Sequence, residues 1–275
     1  MFSFAGKKVG AFPINVLRVL FACVLLALAL YIQKGIFYPV NVPNKASFWL
    51  GISGIIGLAI GDGALFFSIL SIGPRLATLV LALAPPFTTV VAWLFLGEKL
   101  GVFAILGITL TITAIVWVVS ERPEEIHAVK NKTAGIIYGV VAALGQGLGV
   151  IFAKVGLESN IDTISATLLR MTPACIALWL MAVFIRQVKP AILALKNKRV
   201  MAAIFLGTVF GPFLGVWLSI VAVKYTAAGI ASTLLSTVPI LVIPVEILLF
   251  RRMPSARAIA GTIFAIAGIA LIFLR

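Results

Sequence analysis

Leu17-Arg18-Val-Leu-Phe-Ala22-Cys23-Val-Leu-Leu26-Ala-Leu28-Ala-Leu30 lies over Leu169-Arg170-Met-Thr-Pro-Ala174-Cys175-Ile-Ala-Leu178-Trp-Leu180-Met-Ala182, 152 residues later, with six identities in fourteen positions. Apolar helices resemble one another by composition alone, but arginine and cysteine are rare in such helices, and both coincide here. The chain therefore carries an internal repeat, which is the sequence mark of many proteins that span membranes more than once.

Working outward from this stretch, the match continues. Gly57 and Gly61 meet Gly207 and Gly211 at an offset of 150, Ser68 and Ile69 meet Ser219 and Ile220 at 151, and Pro86 meets Pro239 at 153. Small changes of offset are what loops of unequal length produce.

The setting of the repeat is strongly apolar. The 275 residues are 62% hydrophobic and 11% charged, with mean hydropathy +1.20. Soluble domains are about half apolar and a quarter charged. A bilayer core needs about 20 apolar residues per helical span, and nine stretches qualify: Ile14 to Gln33, Ala46 to Ile72, Pro74 to Gly97, Leu100 to Ser120, Ala134 to Leu157, Thr163 to Ile185, Val200 to Val223, Ala227 to Phe250 and Ser255 to Leu274. These are spans 1 to 9. Spans 2 and 3 are divided at Gly73-Pro74, because proline has no N–H for an uninterrupted helix. The longest polar connections, Glu121 to Thr133 and Arg186 to Arg199, hold 13 and 14 residues, too few for a soluble domain.

In this register spans 1 to 4 equal spans 6 to 9, and span 5 opens the second repeat. A complete unit then has five helices, and an odd number makes the two units inverted. The first repeat is residues 1–133 with four helices, the second 134–275 with five. The expected class is an all-α polytopic membrane protein, nine helices in a 4+5 inverted-topology repeat, with the first helix of ten missing or truncated. Phe4 to Gly10 resembles the tail of span 5, Phe152 to Gly156, and the chain is expected to begin inside that helix.

The formal charge of +14 does not point to nucleic acid, whose binders gather Lys and Arg on one soluble face. Here the basic residues sit in short loops. Lys7, Lys8, Arg75, Arg122, Lys130, Lys132, Arg186, Lys189, Lys196, Lys198, Arg199, Arg251, Arg252 and Arg257 fall on one side. Lys34, Lys45, Lys99, Lys154, Lys224 and Arg275 fall on the other. Fourteen against six makes the first side cytoplasmic. Cys23 and Cys175 lie inside spans, where a thiol behaves as a small hydrophobe, and are read as neither a disulfide nor a metal site.

Four ionisable residues lie within spans: Arg18, Asp62, Arg170 and Glu246. A charge at the bilayer centre costs about 2.5–3.5 kcal/mol, so each is a functional candidate. Asp62, mid-span and too short to reach water, is read either as a proton-coupling or ammonium-binding carboxylate or as the structural partner of an arginine. Arg18 and Arg170, as repeat equivalents, are read as a symmetric attractor for carboxylate or phosphate, as structural ion pairs, or as side chains reaching the interface. Glu246, four residues from its span's end, is likewise read as a side chain reaching the interface, a structural ion pair or a substrate contact. Gln146 is read as a substrate contact or an interhelical hydrogen bonder, and Trp217 as a cavity liner or a packing residue. Glycines at spacing four, among them Gly57, Gly61, Gly145, Gly149, Gly207, Gly211 and Gly215, are expected to let helices approach closely. Pro85, Pro86, Pro239 and Pro244 are expected to kink spans 3 and 8.

No phosphate loop of the G-x-x-x-x-G-K-[ST] type is present, and His127 stands alone in a loop beside Glu124 and Glu125. The expectation is no cofactor, no metal and no enzyme activity; a membrane enzyme would need converging acid, base or metal residues.

Gly61-Asp62-Gly63-Ala-Leu-Phe-Phe through Ile72-Gly73-Pro74-Arg75-Leu-Ala77 to Ala84-Pro85-Pro86 and Leu96-Gly97-Glu98-Lys99-Leu100 resembles the third and fourth helices of EamA-type transporters of the drug/metabolite transporter superfamily. Leu144-Gly145-Gln146-Gly147-Leu148-Gly149 followed by Ala166 to Met171 resembles the family's sixth and seventh. The chain departs from the pattern at Phe250-Arg251-Arg252, where the first repeat has Gly97-Glu98-Lys99. The resemblance implies ten helices in two five-helix inverted repeats and a transporter, most simply an exporter of small metabolites such as amino acids, multi-pass in the inner (plasma) membrane. Its implied partners are the bilayer, a small-molecule substrate, a coupled proton and a second copy in a homodimer. Open alternatives are a translocator of nucleotide sugars or lipid-linked groups, and a non-transporting subunit or truncated product.

Overall fold

In lipid every backbone N–H and C=O must be satisfied within the chain, so an apolar sequence of this kind resolves into helices. The computed structural model describes residues 11–99, 101–120, 131–235 and 255–273, and among them there is no strand. The helices are α1 (Ala11–Lys34), α2 (Asn44–Gly54), α3 (Asp62–Leu81), α4 (Ala84–Leu96), α5 (Val102–Val119), α6 (Lys132–Leu157), α7 (Thr163–Phe184), α8 (Val188–Lys196), α9 (Lys198–Thr208), α10 (Leu214–Tyr225), α11 (Ala228–Leu235) and α12 (Ala256–Phe273). Among the described residues six apolar helical stretches are long enough to cross a membrane, one of them the 53-residue run Asn44–Leu96, and the shorter Ala256–Ile272 adds another. Glu246, His127, Pro239, Pro244, the Phe4 to Gly10 segment and Phe250-Arg251-Arg252 lie outside the described residues.

A helix of 53 residues would be about 80 Å long, more than twice the bilayer core, so this run has to cross twice. It reverses where the sequence places the break. Gly73 leaves helical geometry at φ 81°, ψ 163°, ahead of Pro74. The reversal is visible from α6: a Cβ placed on Gly139 would stand 3.1 Å from Ser68 Oγ and 2.8 Å from Val80 Cγ1. Twelve residues of straight helix would hold those two side chains about 18 Å apart. A further interruption at Ala82 and Leu83 is followed by α4, whose first turn holds Pro85 and Pro86, where the missing N–H is not needed.

Two helices contain wide turns of π geometry that the sequence does not announce. One, Ile55–Gly61, joins α2 to α3, and the other, Val209–Phe213, joins α9 to α10. They fall on the glycine pairs that the repeat superposes, so Gly57, Gly61 and Gly211 belong to these turns. Among the described residues a Cβ on Gly211 would meet nothing within 4 Å, and one on Gly215 would meet only Phe210 O at 3.3 Å, so neither is a packing glycine there. Close approach occurs at other glycines. A Cβ on Gly54 would overlap the backbone carbonyl of Arg170, one on Gly147 would stand 3.0 Å from Thr88 Oγ1, and one on Gly268 would stand 2.7 Å from Gly107 O.

The described helices group into two compact units. The first takes the chain up to Phe66 together with Phe152–Tyr225; the second takes Phe67–Ile151 together with the chain from Thr226. Each unit draws on both sequence repeats.

In the first unit α1 packs along α7, with α2, α9 and α10 around them. Its core is Val16, Val19, Ala22, Leu26 and Leu30 of α1 against Leu168, Met171, Ala174, Leu178 and Ala182 of α7. The two helices run antiparallel, since Lys34 at the end of α1 pairs with Asp162 at the start of α7 while Ile14 and Leu17 pack with Trp179. Each end has a local cause. Gly35 at φ 71° closes α1, donating to Tyr31 O at 2.8 Å. Asp162 caps α7 by accepting from Ser165 N at 2.9 Å.

In the second unit α5 packs on α12 and α4 on α11. Gly107 faces Gly268, Thr111 Oγ1 donates to Ala265 O at 3.4 Å, and Gly261 faces Ala114 and Val118, so α5 and α12 also run antiparallel. Thr88 of α4 donates to Ser232 Oγ of α11 at 3.1 Å. Glu98, just beyond α4, accepts from Ala228 N at the start of α11 at 2.9 Å.

Candidate functional site

Three of the four intramembrane charges expected to matter, Arg18, Asp62 and Arg170, lie in the first unit; the fourth, Glu246, is outside the described residues. The π turn at Ile55–Gly61 ends at Asp62, the first residue of α3, and rotates its carboxylate relative to an unbroken α-helix. Arg18 of α1 donates from Nη2 to Asp62 Oδ2, and both side chains are 12% exposed. Arg18 Nε donates to Asn15 Oδ1 at 2.8 Å, and its guanidinium lies 4.7 Å over the Phe66 ring. Burial this deep means that neither partner depends on water for its charge, and an ion pair is how a bilayer tolerates one. Arg18 therefore does not reach to the interface; it turns inward onto Asp62.

Arg170, the repeat equivalent of Arg18, is 3% exposed on α7 and lies within the field of the Asp62 carboxylate. Its Nε has no hydrogen-bond partner among the described residues, nor has Asn15 Nδ2. Arg170 stands on α7 with its backbone against Gly54, just ahead of the π turn that leads into Asp62, so a second arginine flanks the Arg18–Asp62 pair. The two orphaned atoms are both donors, suited to an acceptor-bearing group. The two cysteines of the repeat are also brought together: Cys175 lies in the core between α1 and α7, and Cys23 packs against that same core. Sequence spacing could not have shown that contact.

The other candidates are elsewhere. Trp217 of α10 donates from Nε1 to Thr163 Oγ1 at 3.1 Å and packs on the α1–α7 core, which ties α10 to the first turn of α7. Gln146 lies half-buried on α6 in the second unit. Trp49 stacks on Phe152 with centroids 5.4 Å apart.

A second polar group, missed by the sequence reading, occupies the loop end of the first unit. Lys34 is paired with Asp162 and Lys45 with Glu158 at 3.7 Å. Lys154 Nζ donates to Val223 O at 2.9 Å and Lys224 Nζ to Ile161 O at 2.8 Å. Four of the six basic residues on the sparsely charged side are thus tied into the fold. Burial raises the Asp162 carboxyl, but hydrogen bonds from Lys34 and Ser165 and the Lys34 charge outweigh it and hold the group below the ordinary carboxylate range. Among the described residues no three His, Cys, Asp or Glu side chains gather as a metal site would require.

The comparisons with known proteins agree with this architecture. A solved structure titled only "Crystal structure of protein" matches with a TM-score of 0.71 at 16% identity, covering 99% of this chain and 91% of that one, a likeness of fold. No curated protein matches. The model of the EamA-like transporter family matches residues 1–120 and again 133–274, nearly the whole chain in two successive halves. With apolar helices long enough to cross a bilayer and charges paired inside them, the chain belongs to the EamA-like transporter family, multi-pass membrane transporters of the drug/metabolite type.

Proposed function

We propose that the chain is a secondary-active or facilitative exporter of small metabolites such as amino acids, in the inner (plasma) membrane, working by alternating access between inverted repeats at 1–133 and 134–275. The observation that carries this reading is the Arg18–Asp62 pair with Arg170 beside it, three charges retained inside apolar helices. Each costs about 2.5–3.5 kcal/mol unpaired in a bilayer, and well-packed apolar side chains are as stable or more so than a buried pair. Stability alone gives no reason to keep them. A substrate acid group or a transported proton does.

In this mechanism Asp62 is the coupling group. Protonated, it releases Arg18, whose guanidinium together with Arg170 is then open to the substrate's carboxylate; deprotonated, it reclaims Arg18 and displaces the substrate. The antiparallel packing of α1 on α7 and of α5 on α12 supports the inverted reading, because these are the helices that the repeat superposes (spans 1 and 6, 4 and 9). Gln146 and Trp217 are retained as pathway residues on the strength of their place in spans, Glu246 likewise.

The test is transport by the purified chain in liposomes under an imposed pH gradient. Asp62→Asn, which keeps the side chain's size and its ability to accept from Arg18, is expected to leave substrate exchange measurable while removing its dependence on the gradient. Gradient-driven transport undiminished in the variant would take Asp62 out of the coupling.

A further inference from the structure

At the loop end of the first unit, between the end of α1 and the start of α7, lies a cavity of about 290 Å³. That is the volume of roughly ten liquid waters, the small end of the range for ligand sites. Its polar lining includes Lys34, Asn41, Asn160 and Asp162. Apolar contact comes from Ile36, Val40, Val42 and Ile161.

The charged groups in this cavity are paired but not exhausted. An ammonium has three donors, and Lys34 spends one on Asp162 Oδ2. A carboxylate offers about four acceptor positions; Asp162 uses one on Lys34, one on Ser165 N and one on the Ser165 side chain. Two donors and about one acceptor position are left over. A ligand that carries both a carboxylate and an ammonium can bond to both groups at once without opening the clasp. A ligand with one charge can satisfy only one of them and leaves the other charge crowded against its own sign.

The walls are fixed before any ligand arrives. Lys224 holds Ile161 O, and Asp162 caps α7. Asn41 at φ 59° and Asn160 at φ 53° give the two loops their left-handed bends, a conformation asparagine tolerates better than most residues. A preformed wall spares a ligand the cost of ordering it.

We infer that this cavity is a binding site for zwitterionic α-amino acids with small apolar side chains, the carboxylate on Lys34, the ammonium on Asp162 and the side chain on Ile36, Val40 and Val42. By the loop charges it lies on the face opposite the cytoplasm, where an exported solute leaves. It thus deepens the transporter reading and rests on it for its biological sense, while its chemistry does not.

The experiment titrates the full-length chain in nanodiscs with three probes by calorimetry: L-leucine, N-acetyl-L-leucine, which lacks the ammonium, and L-leucinamide, which lacks the carboxylate. Leucine is expected to bind, with each single-charge probe at least tenfold weaker. Lys34→Met is expected to weaken leucine at least tenfold and to erase the preference over leucinamide. Asp162→Asn, which preserves the helix cap, is expected to erase the preference over N-acetyl-leucine. Equal binding of the three probes, no binding of leucine, or leucine binding that both variants leave intact would overturn the inference. Selective binding with no transport in liposomes would fault the transport reading alone; transport with unselective binding would fault the cavity alone.

Discussion

Removing one partner of the Arg18–Asp62 pair is the perturbation with the largest effect that the structure allows to be reckoned. Both side chains are 12% exposed, so screening by water does not discount the loss, and breaking a buried pair costs about 3–5 kcal/mol because the survivor is left charged and unpaired. The two single variants should not be equal. Arg18→Met leaves Asp62 within the field of Arg170, which supplies a second cation, and belongs near 3 kcal/mol on that scale. Asp62→Leu removes the carboxylate to which Arg18 donates, deep in an apolar setting, and belongs near about 5 kcal/mol. The double variant removes the survivor's penalty and should recover more than about 2 kcal/mol relative to the sum of the singles, the sign of strong coupling. The assay is unfolding of the purified chain followed by tryptophan fluorescence, with substrate exchange measured on the same preparations. Single variants that each cost under about 1 kcal/mol, the range of exposed pairs, would refute the claim that the pair is sealed from water. A double variant that is stable and still exchanges substrate would refute the claim that it is kept for transport.

Three further predictions concern the packing and the loop end. Gly54→Ala should cost on the order of 1–3 kcal/mol or more, since its methyl would run into the Arg170 backbone, whereas Gly211→Ala, with open space around it, should stay within about 0.5 kcal/mol; equal costs would mean that α2 does not lie against α7. The Lys34–Asp162 clasp should stabilise the wild type over Lys34→Met by on the order of 1 kcal/mol or less, since the side chains are 40% and 30% exposed. Because the Asp162 carboxyl is lowered in the folded state, that advantage should be full above its unfolded value of about 3.9 and vanish as the pH falls through the folded one; a difference that persists unchanged at lower pH would contradict the pairing. Glu98→Ala should cost about 0.5–2 kcal/mol through the lost cap on α11, read in the same unfolding assay.

Much of this fold could be read from residues. The break at Gly73-Pro74 was legible because proline lacks a donor and the run was too long for one crossing, and the Arg and Cys matches disclosed the repeat. What could not be read was which helices would touch. Arg18 and Asp62 are 44 positions apart, and nothing in either helix names the other. The π turns at Ile55–Gly61 and Val209–Phe213 have no side-chain signature, and their glycines read as packing residues. The lysines of the sparse side were counted as charges in loops, although Lys154 and Lys224 are bonded to backbone carbonyls. Contiguous repeats likewise do not predict compact units, because α1 packs on α7, α4 on α11 and α5 on α12, each pair a helix and its counterpart in the other repeat.

Transport itself is the claim most directly open to measurement. Purified chain in liposomes preloaded with unlabelled leucine, presented with labelled leucine outside, is predicted to accumulate label transiently and saturably above protein-free liposomes, with Asp62→Leu reduced to the protein-free level. Label uptake no different from empty liposomes, for leucine and for a panel of other amino acids and nucleotide sugars, would contradict the account.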